Sequence, residues 1–202
     1  DLNAAYQTSH VEFRDAVQDE IPQDSGLTTT DIMNRATAIT CAGCHGYNGA
    51  STGPATPSLA GMSAVYIEDS MKAYKEGERN ATIMTRIAKG YDDEDFAKMG
   101  QFFSSKPMHM AKQSAAGNMK KKGKKIHKKY CGKCHEDNGT SADDDSGQLA
   151  GQWAPYLKYS LEDSMSGDRD FGKKMKKKVK KAHKKYGDDM APALLDFYAS
   201  QN

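Results

Sequence analysis

Cys41-Ala42-Gly43-Cys44-His45 is the stretch that decides the fold, and the chain repeats it as Cys131-Gly132-Lys133-Cys134-His135. A Cys-x-x-Cys-His run is the attachment signature of c-type haem. Its two thiols, on one helical turn, add across the two vinyl groups of the porphyrin, and the adjacent histidine reaches the iron from the same side. The two runs account for all four cysteines. We therefore predict two covalently bound haem c groups, one for each copy of the motif.

Two other interpretations of the cysteine pairs are weaker. A thioredoxin-like thiol pair requires a βαβ context, which the sequence lacks. A zinc site would need both pairs to share one metal, and it would leave the repeated histidine unexplained.

The composition fits small domains that are filled by a cofactor. The chain has 202 residues, of which only 37% are hydrophobic, and a buried porphyrin would complete such cores. No stretch approaches the ~20 apolar residues of a membrane span. The start, DLNAAYQTSHVEF, lacks the basic and apolar regions of a signal peptide. We interpret Asp1 as the first residue of a processed chain and expect the periplasm, because haem c attachment implies export in a bacterium.

Positions outside the haem motifs also repeat. A shift of 90 takes Leu59-Ala60-Gly61 to Leu149-Ala150-Gly151, Tyr66 to Tyr156, and Arg79 to Arg169. We predict an all-α fold of two tandem domains, each enclosing one haem c. The predicted parts are an N-terminal extension over 1–27, a first domain over 28–105, a linker over 106–117 and a second domain over 118–202. Thr30 is expected to cap the helix that leads into Cys41.

Two lysine-rich runs flank the second motif. Residues 111–135 and residues 172–185 each carry nine lysines and no acidic residue. The spacings of Met119, Gly123, Ile126, His127 and Tyr130 are repeated in the later run by Met175, Val179, Ala182, His183 and Tyr186. This pattern predicts two amphipathic helices with a narrow inward stripe. Nucleic-acid binding is disfavoured, since these cationic surfaces belong to haem domains. A solvated face and an electrostatic docking surface both remain open.

The repeat also nominates the iron ligands. His45 and His135 are the predicted proximal ligands, and Met84 and Met175 follow equivalent Gly-x-Arg turns as predicted sixth ligands. Thioether sulfur is a soft ligand that suits haem iron, although a helical methionine also serves core packing. Met175 lies in a lysine-rich helix, and its possible substitutes are Met165, His183 and Met190.

Backbone groups around the histidines complete the predicted sites. A metal-bound imidazole usually donates its other N–H to a carbonyl. Pro57, twelve residues after His45, is the predicted acceptor, and its counterpart for His135 is Gly147 in a less rigid loop. Met108-His109-Met110 could bind a soft metal such as copper, but three neighbouring ligands in a linker rarely make a complete site.

These residues resemble a known family. The C-x-x-C-H-G-x-x-G run, the P-x-L-A-G loop over 57–61 and the late methionines are similar to two-domain dihaem cytochromes of the c4 type. Longer strings, over 41–62 and 81–99 and in LAGQWAPYLKYS, resemble the cytochrome subunit of flavocytochrome c sulfide dehydrogenase. That resemblance covers roughly 33–202, and the lysine density and the 1–27 extension depart from it. It implies two tandem cytochrome c-like domains, the His and Met ligands and the four thioether cysteines named above, and a flavoprotein partner.

The resemblance favours two functions, and a third competes with them but ranks last because both methionine positions are filled. The first is an electron-transfer subunit that accepts electrons from an FAD-containing sulfide dehydrogenase flavoprotein and passes them to a soluble electron-acceptor cytochrome. The second is a free dihaem shuttle of the c4 kind. The third is a catalytic haem protein, such as a peroxidase or a thiosulfate dehydrogenase, which would need a missing or replaced methionine. The chain has no dinucleotide fingerprint of its own, so any sulfide chemistry would belong to the partner and FAD would bind there.

Overall fold

The computed structural model describes residues 26–115, 117–141 and 146–201, and their regular structure is helical. None of the helices in these ranges is long and apolar enough to cross a membrane. The predicted 1–27 extension lies, up to residue 25, outside the described residues. The α-helices are α1 Thr29–Ala38, α2 Ala42–His45, α3 Ala64–Glu76, α4 Met84–Ala88, α5 Asp93–Ser104, α6 Lys120–Ile126, α7 Ala154–Ser166, α8 Gly172–Tyr186 and α9 Met190–Ala199.

Helix α1 leads into the first haem motif. Its start is fixed by Thr28, whose hydroxyl accepts the Asp31 N–H at 3.1 Å while its own N–H donates to the Asp31 carboxylate at 2.9 Å. The prediction that Thr30 caps this helix is therefore wrong, because the capping residue of the reciprocal pair is Thr28, two residues earlier. A 3₁₀ turn over Ile39–Cys41 then joins α1 to α2, which ends at His45.

The first hydrophobic core forms between α3 and α5. Phe96, Met99 and Phe103 of α5 are almost completely buried, and Ile67 and Met71 of α3 pack against them. These residues recur every three or four positions, as an amphipathic helix requires. A capping box of Asp92 and Asp95 begins α5, and Gly77 with φ of 82° ends α3.

The second core forms between α6 and α9. Ile126 of α6 packs against Leu194 and Phe197 of α9. A Cβ on Gly123 would lie 1.9 Å from the Ala193 carbonyl oxygen, so the two helices cross with their backbones in contact. The sequence thus folds as two tandem all-helical domains, each with its own core. The predicted domain boundaries stay a prediction.

Both lysine-rich runs are helical, as predicted. The first comprises α6 and a π-helical turn over His127–Cys131, and the second is α8. Ile126, His127 and Ala182 are buried on the predicted stripes, while the lysines cover the other faces. The pattern of apolar residues and lysines was therefore enough to predict these helices, because an unpaired lysine is rarely buried and the apolar positions mark the inward face.

The two domains meet through a repeated pair of arginines. Arg79 donates to the Tyr156 hydroxyl at 2.9 Å, and Arg169 donates to the Tyr66 hydroxyl at 3.1 Å. Both arginines are buried, and their backbones form an antiparallel bridge. The interface therefore relates equivalent positions of the two repeats by an approximate two-fold axis.

The predicted linker packs against both domains. Ala111 is fully buried and donates its N–H to the Gly151 carbonyl at 2.7 Å. The backbone of Met108 lies against Gly61 in the first domain, while the Met110 thioether lies against Gly151 in the second. The Met110 side chain therefore packs against the second domain, while metal binding by Met108-His109-Met110 stays a prediction.

Candidate haem sites

The first site centres on His45 at the end of α2. Its side chain is buried, and Nδ1 lies 2.8 Å from the Pro57 carbonyl oxygen. Burial lowers the pKa of His45, and the hydrogen bond to Pro57 only partly opposes this effect. Since a carbonyl can only accept, Nδ1 carries the proton and Nε2 keeps its lone pair. The imidazole is therefore neutral and fixed in the tautomer that a metal requires.

The second site repeats this geometry with different loop chemistry. His135 is buried, and its Nδ1 lies 3.1 Å from the Gly147 carbonyl oxygen. Both histidines therefore meet the carbonyl twelve residues further along the chain, which the sequence nominated. The role of Pro57 and Gly147 in orienting iron ligands stays a prediction.

The cysteines lie at the edges of the two cores. Cys41 packs against the first core and Cys131 against the second, whereas Cys44 and Cys134 are exposed. Burial raises the pKa of the Cys41 and Cys131 thiols. The two pairs therefore belong to separate sites, each with one inner and one outer thiol on the same helical turn.

The surroundings of Met84 fit a porphyrin. Met84 begins α4 and packs against the first core, while its neighbours Ile83 and Ile87 are 61% and 39% exposed. These side chains form an apolar surface that a bound macrocycle would cover. Paired thiols, a fixed neutral imidazole and a thioether that packs against the same core are together the donor set of haem c.

The second site leaves the sixth ligand less defined. Met175 is half-buried in the first turn of α8. Among its possible substitutes, Met190 is 1% exposed within the second core and Met165 is 48% exposed. His183 is half-buried on α8. The assignments of Met84 and Met175 stay predictions.

Sequence reasoning missed the residues that join the first site to the second domain. Gln152 accepts the Ser58 N–H and donates to the Ser58 carbonyl, each at 2.9 Å. Trp153 donates its indole N–H to the Ser51 carbonyl at 3.1 Å. The sequence did contain a signal for them, because Gln152 and Trp153 differ from Met62 and Ser63 at the equivalent positions of the first repeat.

Comparisons with known proteins identify the class that this donor set defines. The family model "Cytochrome c" matches residues 34–114. Cytochrome c4 of Pseudomonas aeruginosa is 32% identical over 67% of this chain and 71% of its own length. The cytochrome subunit of sulfide dehydrogenase of Chlorobaculum tepidum is 37% identical over 38% of this chain and 68% of its own length.

A solved structure shows the same fold. Reduced recombinant cytochrome c4 from Pseudomonas stutzeri superposes with a TM-score of 0.72 at 24% identity, over 85% of this chain and 98% of that chain. The chain belongs to the cytochrome c family and is a c4-like dihaem cytochrome with covalently attached haem c.

Proposed function

We propose that this dihaem electron carrier works as a free shuttle of the c4 kind, with one haem in each domain and no permanent partner. The observation that carries the proposal is the pair of equivalent sites in domains joined face to face. The similarity to cytochrome c4 supports it, because it spans 67% of the chain and reaches both domains. The similarity to the sulfide dehydrogenase subunit extends over 38%. We also infer a periplasmic location.

The chain prepares each site for electron transfer. Bound haem supplies a reversible one-electron iron couple. The His45 and His135 rings are held by carbonyls, so their orientation does not have to change with the oxidation state of the iron. The buried cores exclude water from the inner side of each site, which reduces the solvent reorganisation that accompanies a charge change.

We propose Met84 and Met175 as the sixth ligands. Two six-coordinate His/Met sites should give a near-infrared charge-transfer band typical of sulfur ligation, with the intensity of two irons. Met84→Ala and Met175→Ala should each remove half of that intensity. An unchanged band in Met175→Ala would overturn that assignment and direct attention to Met165 or His183.

Purification tests the shuttle. The native protein should be recovered without a flavin-bearing chain, and a reductive titration should take up two electrons per chain. A flavin absorbance spectrum in the purified material would instead favour the second candidate function, the cytochrome subunit of a flavocytochrome c sulfide dehydrogenase. The similarity to the Chlorobaculum tepidum subunit supports that candidate. Its FAD and its sulfide chemistry would lie on the partner, and a soluble electron-acceptor cytochrome would receive the electrons.

The lysine face of α8 supports a docking role. Six lysines recur at i, i+3 and i+4 positions, which places them together on one face of this helix: Lys173, Lys176, Lys177, Lys180, Lys181 and Lys184. Such a concentration of one charge raises the encounter rate with a partner of opposite charge. We infer that a redox partner with an acidic surface docks there.

A further inference from the structure

The loop that holds His45 is fixed from the other domain. Gln152 belongs to the second domain, is completely buried, and forms two hydrogen bonds of 2.9 Å with the backbone of Ser58. Ser58 directly follows Pro57, whose carbonyl accepts the Nδ1 proton of His45. The orientation of the amide is unambiguous, since an N–H must meet Oε1 and a carbonyl must meet Nε2.

Trp153 strengthens the same attachment. Its indole N–H donates to the Ser51 carbonyl at 3.1 Å, and its ring occupies the space that a side chain on Gly53 would need. Ser51 in turn holds the loop closed, because its hydroxyl donates to the Thr56 carbonyl at 2.8 Å. Both ends of the loop that precedes Ser58 are thus bound by adjacent residues of the second domain.

The repeat places other residue types at the positions of Gln152 and Trp153. By the 90-residue repeat, Gln152 corresponds to Met62, which is buried in the first core, and Trp153 corresponds to Ser63. Near His135, the first domain offers the Tyr66 ring, which packs on Gly147. A ring contact fills space but does not direct a carbonyl as a hydrogen bond does.

We propose that Gln152, supported by Trp153, is a positioning residue through which the second domain sets the reduction potential of the first haem. A firm Nδ1–H to carbonyl bond makes the imidazole a stronger donor and favours oxidised iron. Loss of the Gln152 hydrogen bonds to the Ser58 backbone should weaken the hydrogen bond from His45 Nδ1 to the Pro57 carbonyl and so raise the reduction potential of the first haem. This inference rests on the proposed haem ligation by His45 but not on any partner.

The test uses the haem-loaded full-length protein with the substitution Gln152→Met. Methionine is the residue at the equivalent position of the first domain, Met62, and its side chain has nearly the shape of glutamine, so the change removes the hydrogen bonds with little change in packing. Two readouts are made: the potentials of both haems, and the exchange rate of the histidine Nδ1 protons in the reduced, ¹⁵N-histidine-labelled protein. We expect a higher first potential and roughly tenfold faster exchange at His45, as for the loss of one hydrogen bond. The second potential and His135 should be unchanged.

Gln148→Met is the matched control. Gln148 is also a buried glutamine of the second domain, but its amide donates to the Ala150 carbonyl at 2.8 Å, and none of the hydrogen bonds described for it reaches the His45 loop. It should leave the first potential and the His45 proton unchanged. Trp153→Phe, which keeps an aromatic ring but removes the indole N–H, should shift both His45 readouts in the same direction but less. It serves if Gln152→Met fails to fold.

Unchanged His45 readouts in Gln152→Met, or equal changes at both haems, would overturn the proposal. The outcome is independent of the proposed shuttle function, because no redox partner takes part in either measurement. A chain that proved to be a permanent flavoprotein subunit would still show the effect.

Discussion

The interface arginines offer a prediction whose size follows from the structure. Arg79 is 7% exposed, and its guanidinium donates to Tyr156 at 2.9 Å and to Ser70 at 2.8 Å while it stacks on Tyr74 at 4.5 Å. Tyr156→Phe removes one of these partners without a change in ring volume. A hydrogen bond to a buried charge contributes roughly 1.5–3 kcal/mol, so we expect a loss of about 2 kcal/mol at neutral pH.

The loss should grow with pH. Burial alone would raise the pKa of Tyr156, but attraction to Arg79 and Arg169 outweighs it and lowers the pKa to about 7. Because the pKa of Tyr156 is lower in the folded than in the unfolded state, its ionisation stabilises the folded protein. This contribution is fully present above the unfolded-state pKa of ~10 and is lost as the pH falls through about 7. Tyr156 is only partly buried, and solvent screening reduces the effect. We expect an additional difference of about 1–2 kcal/mol between roughly pH 6 and pH 9.

The assay is thermal unfolding of the wild type, Tyr156→Phe and Tyr66→Phe at the two pH values, followed by circular dichroism. Tyr66→Phe is the matched control, because it removes the equivalent partner of Arg169. The neutral-pH loss should be similar in both variants. A melting difference between Tyr156→Phe and wild type that does not increase from pH 6 to pH 9 would refute the ionisation of Tyr156 between the two arginines.

Three further predictions concern packing, capping and docking. Gly123→Ala should destabilise the second domain by about 3 kcal/mol, because α6 and α9 must separate to make room for the methyl group. The control Gly90→Ala, whose nearest new contact is 3.4 Å away, should have the melting temperature of the wild type. Equal melting temperatures for the two variants would show that the α6–α9 contact accommodates the methyl group. Asp196→Ala leaves two backbone N–H groups near the start of α6 without their carboxylate and should lower stability by about 3 kcal/mol in denaturant titrations, and an unchanged midpoint would contradict this. Electron transfer to an acidic redox protein should slow as salt screens the α8 lysines beyond ~8 Å, and a salt-independent rate would mean that they form only a solvated face.

Sequence reasoning succeeded where the determinants are local or repeated. The hydrogen bond between His45 and the Pro57 carbonyl spans only twelve residues. It could be predicted because a haem-binding histidine needs a carbonyl acceptor and the loop after the motif supplies one. The two lysine-rich helices could be predicted because their few apolar residues recur at helical spacing among lysines. The repeat also identified Arg79 and Arg169 as equivalent, although nothing in the pattern showed that they bond across the domains.

Long-range contacts were beyond the sequence. Gln152 and Ser58 are 94 residues apart, and no periodicity links a glutamine side chain to one backbone amide in another domain. The segment over 106–117 has the Pro and small residues of a linker, yet Ala111 is 0% exposed. Small residues suit an exposed connection and a tight backbone approach equally well, so composition could not distinguish them.

The two-fold relation between the repeats has a consequence for how such a chain could arise. Arg79 bonds to Tyr156 as Arg169 bonds to Tyr66, so each half presents the surface that the other half recognises. Such self-complementarity is the hallmark of an isologous homodimer contact. The chain is thus arranged like a tethered dimer whose halves are free to differ, as at Gln152 and Trp153, where the other half carries Met62 and Ser63. The tether converts an association that would depend on concentration into a permanent one.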